Sequence, residues 1–151
     1  MERTGLRIDK ASYQVGMINC FCEMVAAGLK RLAISPPLTP LEYEAIRETS
    51  ATIVEGSGIH SFLERSLLVT HLQSADFTQG LWSILYFKDP EVLEEYLVLK
   101  ERRTSLEDTG SLTPEALAEI SRAFMRLLSY PEEIIEEKIR GGGKTDPFLL
   151  E

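Results

Sequence analysis

Apolar residues recur at helical spacing along most of the chain. Between about residues 10 and 34, Ile18, Phe21, Cys22, Val25, Leu29 and Leu32 follow one another three or four apart, and Tyr13, Met17, Cys20 and Met24 widen the arc. Only Ser12, Asn19, Glu23 and Lys30 form a narrow polar stripe, as on a central helix touched on several sides. Ser35-Pro36-Pro37 ends that pattern, because proline disfavours helical backbone in the residue before it. Thr39, Pro40 and Glu42 then supply a cap, a first-turn proline and a capping box. The second helix turns Tyr43, Ile46, Ser50, Ile53 and Val54 inward, and Gly56-Ser57-Gly58 breaks it.

A third helix is expected from about Ile59 to Ser74, and Asp76 with Gln79 reads as the next cap. Phe77 to Phe87 is apolar nearly all round. Its aromatic content would suit a strand, but no partner strand stands out, so it is assigned as a fourth helix. Asp89-Pro90-Glu91 opens a fifth, Arg102 to Ser111 reads as a polar loop, Thr113-Pro114-Glu115 opens a sixth, and Pro131 a short last one. The expected fold is all-α, a single compact bundle of about six or seven helices over residues 1–140. A flexible Gly-rich tail, 141–151, follows.

Composition sharpens this picture. The chain has 151 residues, the size of one domain, and is 44% hydrophobic, enough to bury a core. Its net charge of −8 argues against nucleic-acid binding, because a duplex repels an acidic surface. The charge is uneven. Residues 1–88 hold 9 acids and 8 bases, whereas residues 89–151 hold 15 acids and 8 bases. The acidic half reads as the solvated outer faces of late helices. No window supplies the ~20 consecutive apolar residues of a membrane span. With no signal-peptide pattern at the start, the expected location is cytoplasmic. Cys20 and Cys22 are two apart and point ~200° away from each other on a helix, so they cannot bridge there.

Candidate chemistry is sparse. Gly143-Lys144-Thr145 echoes the end of a phosphate-binding loop, but Lys138 stands where that loop needs a glycine, and Pro147 follows where it needs a helix. Both histidines fall in the expected third helix. There His60, Glu64 and His71 agree in direction within ~40° and line one stripe. His60 lies ~16 Å from His71 along such a helix, so one ion cannot take both from one copy of it. His60 with Glu64 can hold a divalent metal if a second helix adds Glu23 or a cysteine, and His71 can join across a subunit interface. The simpler reading is an exposed His60–Glu64 pair and a partly buried His71 bonded to a neighbour.

Ser66, Thr70 and Gln73 form a second, small-polar stripe suited to close packing of another helix. With the very apolar fourth helix, it predicts a homodimer. The apolar Phe148-Leu149-Leu150 of the tail could dock in a groove. The functional expectation is a non-catalytic cytoplasmic helical module that binds a protein partner or a small apolar ligand, with no cofactor, nucleic acid or membrane. The alternative is a metal-dependent protein or enzyme centred on His60 and Glu64, with Glu23 and His71 as further ligands.

Overall fold

The computed structural model describes residues 7–73 and 75–141, apart from the side chain of Phe77. Among these are α1 (Lys10–Ala26), β1 (Leu32–Ile34), α2 (Pro40–Ser57), β2 (His60–Glu64), the single-turn α3 (Ala75–Thr78), β3 (Ser83–Phe87), α4 (Pro90–Asp108), α5 (Pro114–Leu127) and α6 (Glu132–Arg140). The three strands form an antiparallel sheet in the order β1-β3-β2. The all-α helical bundle is therefore wrong. The fold is mixed α/β, with helices on both faces of a small sheet.

The central strand explains the error. All five residues of β3, Ser83-Ile84-Leu85-Tyr86-Phe87, are buried. Leu85 and Phe87 meet Val92 and Tyr96 of α4 and Ile120 and Phe124 of α5. Ile84 and Tyr86 meet Ile18, Cys22 and Val25 of α1 and Ile46 of α2. A strand covered on both faces is apolar throughout and loses the alternation that marks a half-exposed strand. The expected fourth helix is thus one turn of α3 followed by this strand. In the expected third helix, His60–Glu64 is β2 and residues 65–73 are loop.

The first helix is shorter than its pattern. It stops at Ala26, and Gly28 takes a left-handed φ of 80° while Leu29 N–H bonds back to the Met24 carbonyl. Leu32 continues the apolar spacing only by chance, because it belongs to β1. At the other end of the chain, residues 102–108 continue α4 where a polar loop was expected.

The caps expected at Thr39 and Thr113 form, whereas Asp89 makes no side-chain cap bond and Asp76 lies within the first turn of α3. Thr39 accepts the Glu42 N–H while Glu42 accepts the Thr39 N–H, a complete capping box. Thr113 accepts the Ala116 N–H at the start of α5. Ser50, placed inward on α2, meets the Tyr86 hydroxyl at 2.7 Å. Burial of that phenol pushes its pKa well above the ordinary value. Among the described residues no helix is long and apolar enough to cross a membrane. The expected tail beyond Gly141, with Lys144 and Phe148, lies outside the described residues.

Candidate functional site

The loop after β2 carries the most unusual polar chemistry. Glu64 ends β2 and is only 4% exposed. Its carboxylate receives the Tyr96 hydroxyl at 2.7 Å, the Lys100 ammonium at 2.9 Å on both oxygens, and the Ser66 N–H at 2.9 Å. A buried carboxylate is tolerated only when charge and hydrogen bonds compensate its lost water, and here α4 supplies both. The Tyr96 hydroxyl also accepts the Leu68 N–H at 3.0 Å. Burial, then the bond to Glu64, raise the Tyr96 pKa far above its ordinary value.

Further along the loop, Ser121 of α5 accepts the His71 backbone N–H at 3.1 Å, and its Oγ lies 2.7 Å from His71 Nδ1. Ser121 is fully buried. These bonds fix the loop to α4 and α5, and Leu67 and Leu68 seal it into the core. The Glu64 carboxylate and the Ser121 hydroxyl are thus committed to holding backbone.

The four residues expected to bind metal are dispersed. His60 begins β2, is exposed, and sets its ring 5.8 Å from that of Phe87. Glu64 lies four residues further along the same strand, ~13 Å away. Glu23 is exposed on α1, which covers the opposite face of the sheet. His71 is in the loop, with Ser121. Among the described residues, no group of three or more His, Cys, Asp or Glu is placed to hold a metal ion. The Ser66, Thr70 and Gln73 stripe is loop as well. Thr70 and Gln73 are buried inside this one chain. Of the two features that suggested a homodimer, β3 is buried within this chain, and so are Thr70 and Gln73 of the stripe, while Ser66 is exposed.

The loop brings Leu72 and Gln73 to a cavity of about 170 Å³. Met17 and Phe21 of α1, Ile34 of β1, and Leu128 and Tyr130 beyond α5 supply its other walls. The Ser35 N–H bonds to the Ile84 carbonyl, so Ile34, one residue earlier, turns its own N–H and C=O away from β3. The cavity thus adjoins the free edge of the sheet. Lys30 lines it too. Its ammonium donates to the Leu128 carbonyl at 2.8 Å and stands 5.9 Å from the Tyr130 ring centre. No carboxylate among the described residues comes within ion-pair distance of it. Burial pushes its pKa down. Gln73 is 6% exposed, and its buried amide oxygen has no hydrogen-bond partner among the described residues.

Sequence reasoning had Lys30 on the polar stripe of the first helix. Gly28 was the signal that the helix ends before it. Nothing local in the sequence joins Lys100 to Glu64, 36 residues away.

A second, shallower groove of about 710 Å³ runs between α4 and α5. Glu91, Glu94 and Glu95 line it together with Arg31 and Arg126, and Val98, 62% exposed, adds apolar surface. Against protein-family models, curated proteins and solved structures alike, the chain gives no match.

Proposed function

We propose that the chain is a non-catalytic cytoplasmic module that binds a small, largely apolar ligand in the cavity beside β1. The observation that carries this reading is the cavity itself. Apolar side chains from α1, β1 and the segment after α5 line space for a benzene-sized body, with the Lys30 side chain beside them. The polar groups of Glu64, Tyr96, His71 and Ser121 serve this function indirectly, by holding the loop that forms one wall.

The test is an amide-resolved NMR titration with benzyl alcohol, a neutral probe of suitable size. Shifts confined to Met17, Ile34, Leu72, Gln73 and Leu128 are expected. Saturating probe without shifts there would remove the reading.

A second reading, docking of a basic protein segment, is favoured by the groove between α4 and α5. Glu91 and Glu94 make no ion pair among the described residues, and Leu97 and Val98 expose apolar surface on the same helix. A Lys/Leu amphipathic peptide should then shift α4 and α5 amides, with an affinity that weakens as salt rises. Absence of both effects would discard it.

A further inference from the structure

The cavity is lined by a cation that has no carboxylate partner among the described residues. Lys30 is half-buried, its ammonium bonds to a neutral carbonyl, and the eight ion pairs of the described residues leave it out. The contrast with Lys100 is informative. Lys100 is also partly buried, and it faces the Glu64 carboxylate at 2.9 Å. Burying an ammonium costs free energy that a carboxylate opposite normally offsets. Among the described residues Lys30 has no such partner, and its side chain lines the cavity.

The other walls restrict what can fill this space. Phe21, Ile34, Leu72 and Leu128 offer apolar surface, and Tyr130 offers a ring. Lys30 is the charged point among these walls. A volume of about 170 Å³ admits one six-membered ring with a short substituent.

We infer that the ligand is a small organic acid, its carboxylate on Lys30 and its compact apolar body against Phe21, Ile34 and Leu72. This rests on the ligand-binding reading of the same cavity and adds the charge of the ligand. A charge-assisted hydrogen bond in a site sheltered from water should favour the acid about tenfold over a neutral compound of the same shape.

The experiment compares benzoate with benzyl alcohol on the full chain, by NMR titration at constant ionic strength. Benzoate is expected to bind about tenfold tighter, with shifts at Ile34, Gln73 and Leu128. Lys30→Met, which keeps the apolar stem, should abolish the difference, and Lys30→Arg should keep most of it. Equal affinity of the two probes for the unsubstituted chain overturns the inference and leaves the ligand-binding reading standing. An unchanged preference for benzoate in a folded Lys30→Met chain overturns it as well. Failure of both probes to shift the cavity amides overturns both readings. The first comparison needs no substitution, so the result stands even if Lys30→Met does not fold.

Discussion

The Tyr96 hydroxyl sits 2.7 Å from Glu64 Oε2 and accepts the Leu68 N–H at 3.0 Å, so one phenol joins α4, the end of β2 and the loop after it. Tyr96→Phe removes the donor to the carboxylate and leaves the Leu68 N–H buried without an acceptor. Unmade bonds of this kind cost more than the average formed bond yields. The expected loss is about 2–3 kcal/mol in urea unfolding. Native-state hydrogen exchange should show the Leu68 amide accelerated more than the amides of β3. A stability within about 0.5 kcal/mol of the unsubstituted chain would show that the phenol is not holding the loop.

Ser121 plays the corresponding part at the far end of the loop. Its Oγ is the acceptor of the His71 N–H and the neighbour of Nδ1. Ser121→Ala is expected to destabilise by about 1–2 kcal/mol and to loosen the loop near Gln73. The functional consequence separates this from a purely structural loss. The cavity wall at Leu72 and Gln73 should move, so benzoate binding should weaken in a chain that still folds. Calorimetric titration under native conditions reads that difference directly.

How far these contacts were legible depends on the distance over which each was encoded. The capping box of Thr39 and Glu42 lies within four residues, and it was read correctly. The inner face of α1, with Ile18, Cys22 and Val25, was read correctly too, because helical periodicity is local. The strands escaped for a physical reason. Residues four apart share a face on a strand as well as on a helix, since four is a multiple of two and close to 3.6. The His60 and Glu64 spacing therefore fitted both, and β3 carried no alternation to decide between them. His71, eleven residues from His60, is an odd number of steps away and would have opposed it on a strand. The loop removes it from either pattern. Partners such as Lys100 for Glu64, or Ser121 for His71, meet only through the tertiary fold, so the chemistry of those side chains could not be assigned from spacing.

Gly58 ends α2 in the left-handed region, at φ 69°, and its N–H bonds to the Glu55 and Val54 carbonyls. A Cβ there would meet nothing within 4 Å. Gly58→Ala is thus a test of backbone conformation alone, with no clash to confuse it. An L side chain in this region costs about 1 kcal/mol. Thermal unfolding should register that loss, and the fold and ligand affinity should be unchanged because β2 starts two residues later. A neutral or stabilising result would mean that α2 does not end in this conformation.

The two thiols of α1 should behave very differently. Cys20 is exposed and Cys22 is fully buried. Burial pushes the Cys22 thiol from its ordinary 9.0 up to about 11. A disulfide reagent at mildly alkaline pH should therefore label one thiol quickly and the second only after denaturant is added. The same shift sets a pH dependence. The folded chain keeps the Cys22 proton to higher pH than the unfolded chain does, so its contribution is fully present below about pH 9 and is lost as pH rises through about 11. Tyr86 and Tyr96, both raised by burial, act in the same direction at still higher pH. Urea midpoints should accordingly fall across this range, and Cys22→Ala should flatten the first part of the fall while lowering stability at neutral pH through the small cavity it leaves. A midpoint independent of pH over that interval, or rapid labelling of both thiols in the native chain, would show that Cys22 is not sealed between α1 and β3.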